Sequence, residues 1–485
     1  MSEVNTTTER PGEDSQEYSS LDRAGSVDPQ IPRSKSILLN KVNRHSHEGE
    51  HDPENWLKHK SHVIVLTFSG KPVYSRYGSE DMIAGFTGTL QALVSKFAVL
   101  GLSPSQIAEK LQSISYGDLR IVFLDRSPLL LVCISKHPNV SISSMERLLK
   151  SVHSQLIFVL TNGVNHTLEQ RPNFDVRSLL GGTKPLIGNL ISWMHNQMFL
   201  CIRGVAVETL PLPFTTRSAI SRIVQTGIPD CCLYSVLLCG HRVVCTASSE
   251  FEGPHIISAS DLVLMINVVC SSSNSLLKSG QGECWTPVCL PNLSGDAFVY
   301  AYIQYMTADV SLVSICLDPD NENFYKLSDH GRLVKESLEF SPEIATILEW
   351  STKCPLSISE TTDQVLLNVK HCSIVLNSSR QIFSSACDNE GKEKAIFRTY
   401  AQCMSLLGDE EDSQQVSMTT KDDFVFIWTT SEFQLFVTAP RGIDISVITR
   451  VYQWIRENEQ TLFISNVSMT NEPGTRLTAN PSSLW

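Results

Sequence analysis

Nowhere does this sequence offer the about 18 consecutive apolar residues that a helix needs to cross a bilayer. The longest candidate, residues 152–160, is too short and includes His153, Ser154 and Gln155. The opening MSEVNTTTERPGEDSQ carries acids and no apolar core, so it reads as no secretory leader. Ser2 stands where N-myristoylation needs glycine, and the final Ser-Ser-Leu-Trp is no prenylation box. The expectation is a cytoplasmic protein that meets membranes only peripherally. An excess of positive charge is missing too. Lys and Arg number 39 against 51 Asp and Glu, a net charge of −12. That excludes broad nucleic-acid binding, which needs a basic surface. The 14 cysteines include no CxxC pair, and most sit in apolar runs such as the one around Cys133. Reduced, buried thiols are expected rather than disulfides or a metal site.

Catalytic signatures are also lacking. There is no GxxxxGK[ST] phosphate loop, no GxSxG elbow, no HExxH pair and no kinase set. Gly181-Gly182-Thr183-Lys184 imitates a phosphate loop, but its glycines are too close, and a turn is expected there. His45, His47 and His51 lie in a polar stretch and read as solvated side chains. No cofactor and no metal are expected, and the silence favours a regulator or adaptor over an enzyme.

What is present is a globular composition, 42% hydrophobic and 19% charged over 485 residues. That length suits roughly three domains at ~150 residues each. Residues 1–58 are polar and Ser-rich, cannot build a core, and read as a disordered tail open to phosphorylation. The first domain is assigned to 59–190. Residues 63–68 and 72–77 predict a β-hairpin around Ser69-Gly70, and 82–100 a helix capped by Ser79. Three strands follow at 114–116, 119–124 and 129–134, then a long helix over 145–160. A five-stranded antiparallel sheet with flanking helices fits this order. The second domain, 196–320, predicts a strand over 199–210, a helix over 215–225 and a hairpin at 233–238 and 242–247. An apolar helix at 257–269 and three strands around 285–290, 298–306 and 311–317 complete it. The third domain, 321–469, predicts helices at 323–336, 343–351, 392–407 and 445–455. Its strands are expected at 365–375, 381–384, 424–430, 434–438 and 462–464, with a frayed tail over 470–485. No repeat is visible between these blocks in sequence.

Several stretches resemble the SAND/Mon family of vacuolar fusion proteins. They are Gly70-Lys71-Pro72-Val73-Tyr74-Ser75-Arg76-Tyr77-Gly78, Arg126-Ser127-Pro128-Leu129-Leu130-Leu131-Val132 and Phe174-Asp175-Val176-Arg177-Ser178-Leu179-Leu180. Glu283-Cys284-Trp285-Thr286-Pro287-Val288-Cys289-Leu290-Pro291 is a fourth, and Trp454-Ile455-Arg456 with Leu462-Phe463-Ile464 a looser fifth. The resemblance spans roughly 60–465 and is faint between Cys354 and Cys403. It implies an α/β fold of three longin-like domains in series. It also implies a CCZ-type partner subunit, and a joint role as guanine nucleotide exchange factor for a Rab-seven-type GTPase. That role serves early-to-late endosome conversion, phagosome maturation and fusion with the lysosome or vacuole. A phosphoinositide membrane surface is the third implied partner.

An exchange factor forms no covalent bond, which agrees with the missing nucleophile. The first domain is the expected contact surface, through Tyr74, Arg76, Tyr77, Ser79, Glu80, Thr87 and Gln91. Ordinary strand and helix packing is the competing reading for these side chains. Gly85 and Gly88 inside the helix point to close approach of another backbone, the chain's own or a partner's. Lys58 and Lys60, where the tail meets the first domain, are the candidate membrane contacts. The alternative function is a non-catalytic longin-type adaptor or tether, and an enzyme of unknown type is a distant third.

Overall fold

A computed structural model of the chain describes residues 56, 58–100, 110–137, 140–172, 174–249, 257–278, 282–353, 366–385, 387, 390–407 and 413–465. The expectations for most of the N-terminal tail, its three histidines and the C-terminal tail lie outside these residues.

Alternation of buried side chains builds the first sheet. β1 (Ser61–Thr67) turns at Gly70, φ +82°, into β2 (Pro72–Ser75). Helix α1 (Ala84–Leu100) crosses to β3 (Ser113–Tyr116), β4 (Leu119–Arg126) and β5 (Leu129–Ser135). The strand order is β2-β1-β5-β4-β3, all antiparallel. Ile64, Leu66, Leu130 and Val132 face α1, packing against Ile83, Leu90 and Val94. Val63, Val65, Leu129 and Leu131 face the other way, towards α2 (Ile142–Leu160). This is the period-two pattern of a sheet covered on both faces. Central β5 is accordingly buried along its whole length.

Three helices that the sequence reading left undivided come next: α3 (Gly163–Gln170), α4 (Arg177–Leu180) and α5 (Lys184–Asn196). The chain then runs through a 3-10 turn at Met198–Leu200 to β6 (Val207–Glu208). The long strand expected over 199–210 is therefore absent, and its remnant joins the third sheet, not the second. The second unit holds α6 (Phe214–Gln225), β7 (Cys232–Cys239), β8 (Arg242–Ala247), α7 (Ala259–Lys278), β9 (Glu283–Val288), β10 (Val299–Tyr305) and β11 (Val310–Cys316). α8 (Asn321–Glu339) and α9 (Pro342–Lys353) follow. The expected boundary at 320 is corrected here. Val334, Leu338 and Ile347 bury into one cluster with Leu237 and Leu312, so both helices belong to the second unit.

The third unit comprises β12 (His371–Leu376), β13 (Gln381–Ser384), α10 (Glu390–Met404), β14 (Gln414–Thr419), β15 (Asp423–Thr429), β16 (Phe433–Pro440), α11 (Ser446–Glu457) and α12 (Glu459–Leu462). Strand β14 was not anticipated, and the closing strand expected at 462–464 is instead the end of α12 and the coil behind it. The second sheet runs β8-β7-β11-β10-β9 and the third β13-β12-β16-β15-β14, with β6 parallel to β13 at its edge. All three sheets thus repeat one order: hairpin, helix, three-strand meander, helix. The repeat is structural, with no trace in the sequence.

The units share cores. α2, α5 and α7 form one helical layer between the first two sheets, through Leu156, Leu190, Ile191 and Ile266. Asn267 Nδ2 in this layer donates to Gln155 Oε1 and to Leu186 O, both at 2.9 Å. The third unit is clasped by buried Arg217, which donates to the carbonyls of Val244, Leu210 and Thr461, each at 2.8 Å.

A candidate partner-binding face on the first unit

The first resemblance stretch runs out of β2 into the turn before α1. Tyr74 is only 4% exposed, and burial raises its phenol above the usual range. It is a core residue, which corrects its expected place on a contact surface. Arg76 is half-buried and lies 5.2 Å from the centre of the Tyr77 ring, a cation–π arrangement. Tyr77 stacks on His59 with centroids 3.7 Å apart. Its carbonyl accepts from Trp56 Nε1 at 3.1 Å. Trp56, assigned to the disordered tail, is thereby ordered. It also packs on His62 at 4.2 Å and on Phe86 at 5.6 Å. Gly78, φ +75°, leaves room for this ring, since a Cβ there would lie 3.1 Å from it.

Ser79 Oγ accepts from Met82 N at 3.3 Å in the turn before α1, which begins only at Ala84, so Ser79 ties that turn and is not the helix cap expected. Glu80 is held by Lys184 Nζ at 2.6 Å, and Arg177 reaches Asp81 at 3.0 Å and Asp175 at 2.9 Å. The turn just after the first resemblance stretch therefore meets the segment from Arg177 to Lys184 through two ion pairs. The sequence carried the charges but not their proximity. Lys184, from the false phosphate loop, is engaged here.

Helix α1 sorts its residues by period. Ile83, Thr87, Leu90, Gln91 and Val94 turn inwards. Thr87 is fully buried, its Oγ1 lying 2.9 Å from Gly70 O and 3.0 Å from Ala84 O. Gln91 is 8% exposed and donates to Ser95 Oγ at 3.2 Å, while its Oε1 has no partner. Both were expected on the free face. Their polarity suggested exposure, but the helical period places them against the hairpin. The free face is Ala84, Gly85, Gly88, Thr89, Ala92, Ser95 and Lys96, flanked by Phe86 and Phe97 at 37% and 44% exposure. A Cβ added at Gly85 or Gly88 would meet nothing within 4 Å. Gly88 also lets the hairpin turn in, since a Cβ on Gly70 would lie 3.4 Å from its Cα.

Lys58 and Lys60 are exposed, as are Lys136 and Arg398. Lys136 N donates to Lys60 O at 2.8 Å. Burial lowers the pKa of His137, and Lys60 and Arg398 lower it further. His62 is depressed to about 4 by burial first, then by His59, with Arg76 and Lys136 adding to it. A group of cations thus gathers where the first and third units meet. No described helix is long and apolar enough to cross a membrane.

Comparison with known proteins agrees with this architecture. Residues 61–190 match the family described as the first longin domain of FUZ, MON1 and HPS1. Residues 231–334 match the corresponding second longin domain, a match that continues past 320 into α8. Vacuolar fusion protein MON1 homolog A of Gallus gallus is 31% identical over 448 residues, 90% of this chain and 77% of that protein. Protein SAND of Takifugu rubripes is 29% identical, over 86% of this chain and 79% of that protein. The MON1 homolog of Oryza sativa subsp. japonica is likewise 29% identical, over 87% and 77%. Similarity of this extent, over units whose sheets share one strand order, places the chain in the MON1/SAND family of vacuolar fusion proteins.

Proposed function

We propose that this chain is the MON1-type subunit of a heterodimeric guanine nucleotide exchange factor for a Rab-seven-type GTPase, paired with a CCZ-type subunit. The observation that carries the reading is the free face of α1. It has one charged residue, Lys96, in a 17-residue helix, and Gly85, Gly88 and Ala92 leave its backbone open. A partner helix can approach such a face closely and cover Phe86 and Phe97. The edge of the same sheet, with Arg76 and Tyr77, then lies beside the joint where a GTPase switch loop would be reordered. The action is non-covalent. The pair binds the nucleotide-free GTPase more tightly than the loaded one, and so hastens GDP loss. Recruitment is peripheral, to endosomal and phagosomal membranes, with Lys58, Lys60, Lys136 and Arg398 facing phosphoinositide headgroups. The output is endosome maturation and fusion with the lysosome or vacuole.

The deciding experiment follows release of fluorescent GDP from the purified GTPase, with this chain alone, its partner alone, and both together. Acceleration only by the pair is the expected result. A stable pair that leaves GDP release at the intrinsic rate would replace this reading with an adaptor or tether.

A further inference from the structure

Three thiols converge in the second unit. Cys232 opens β7 and Cys316 closes β11, and the two are partners across the antiparallel pair at a bulge that skips Leu233. Both are fully buried and share one cluster with Tyr302 and Leu327, against which Cys231 packs. The bulge sets the two at the strand ends in one buried cluster, within the neighbourhood a disulfide could close with a small backbone adjustment. Cys231 is only half-buried. It lines an open cavity of about 480 Å³ between the loop from Gly227 and helix α8, together with Lys326, Asp329 and His330. A small solute therefore reaches the first thiol from solvent, and the other two lie behind it.

We propose that this cluster is an oxidative modification site, at which a peroxide entering the cavity converts Cys232 and Cys316 into a reversible cross-strand disulfide by way of Cys231. The Cys231 thiolate attacks a peroxide oxygen. The S–O bond forms, the O–O bond breaks, and the leaving oxygen takes a proton to depart as water or an alcohol. Cys316 sulfur then attacks the sulfenic sulfur of Cys231, with loss of its thiol proton, and a second water leaves. Exchange by Cys232 finally transfers the bond to the strand-paired position and returns Cys231 to its thiol. The net change is two thiols oxidised and one peroxide reduced. Burial raises the Cys231 thiol above its ordinary value, Asp230 and Glu322 add to this and Lys326 offsets only part of it, so attack is slow and responds to sustained rather than brief exposure. The bond fastens the cavity loop to the end of β11, where α8 departs.

The test uses the full chain, treated with hydrogen peroxide and then alkylated. Mass spectrometry should find the peptide bearing Cys231 and Cys232 joined to the one bearing Cys316, with Cys231 alkylated and the link removed by dithiothreitol. Cys316→Ser should abolish the link, and Cys231→Ser should slow its formation about tenfold or more. Between pH 7 and 8 the wild-type rate should rise about tenfold, as the thiolate fraction does. Circular dichroism of both variants establishes that they fold. A folded wild-type chain that carries Cys231 to sulfinic acid without the link would overturn the proposal. So would a link made instead between two molecules, or one formed equally fast in Cys231→Ser.

Discussion

Gln91 shows how far the chemistry of one residue is set by its place on a helix. On the free face of α1 an arginine would be harmless, but Gln91 lies against the hairpin with its Oε1 already unpaired. Gln91→Arg should therefore lower stability by about 2–3 kcal/mol, through an uncompensated charge in the packing layer. Thr89→Arg, two residues earlier and on the exposed side of the helix, should leave the urea midpoint unchanged, and comparing the two curves checks the assignment of faces. Histidines give a second test at this scale. Burial holds His62, His153, His195 and His241 at about 4 and His371 at about 3. In the unfolded chain each takes up a proton near the ordinary value of about 6.5. Between that value and the folded one the unfolded state binds more protons, so stability rises with pH there. Stability should be flat above about pH 7 and fall steadily from about 6.5 towards 4. Urea unfolding at stepped pH reads this directly, and an unchanged midpoint at pH 5 would mean that these imidazoles are not buried neutral.

At the scale of elements, α1 carries the clearest prediction. Gly85 projects into open space, and glycine costs about 1 kcal/mol against a better helix former. Gly85→Arg should thus hold or raise the melting temperature while abolishing co-purification with a CCZ-type subunit. Loss of binding together with loss of folding would leave the face without support. The same helix marks what the sequence made legible. Its apolar period from Ile83 to Val94 was plain, as were the strands of the first sheet, because alternation and helical spacing are local signals. Trp56 escaped notice because it is a lone aromatic in a polar stretch, and its hydrogen bond to Tyr77 O is a tertiary fact. α3 was missed because only Val164 and Leu168 are buried along it, and α5 because Gly181-Gly182 and Pro185 look like a loop. β14 alternates between half-buried and exposed residues at a sheet edge, where four of its six side chains are polar. The expected break at 320 failed for a topological reason. A helix that closes one sheet and a helix that opens the next look identical until the strand order is known. The ion pairs Lys184–Glu80 and Arg177–Asp81 span more than ninety residues, a distance no spacing rule covers.

Across the whole molecule, net acidity and a local basic surface coexist, and this governs how the chain would meet a membrane. The total charge is −12, so a bilayer of anionic lipid repels most of the surface. Lys60 and Lys136 adjoin within the first unit, Lys58 precedes them in the chain, and Arg398 of the third unit acts with Lys60 on His137. Each base near such a surface contributes about 1 kcal/mol, and the attraction decays within about 10 Å at 0.1 M salt. Reversing Lys60, Lys136 and Arg398 together to glutamate should cut binding to phosphoinositide vesicles by about a hundredfold or more. The wild-type chain should itself release from them as salt rises. All three side chains are surface-exposed and the triple variant should melt where the wild type does. Paired with its partner subunit, it should still accelerate GDP release in solution, where no vesicle is required. Retained, salt-resistant vesicle binding by the variant would place the membrane contact on inserted apolar surface, such as exposed Phe340, rather than on this charge front.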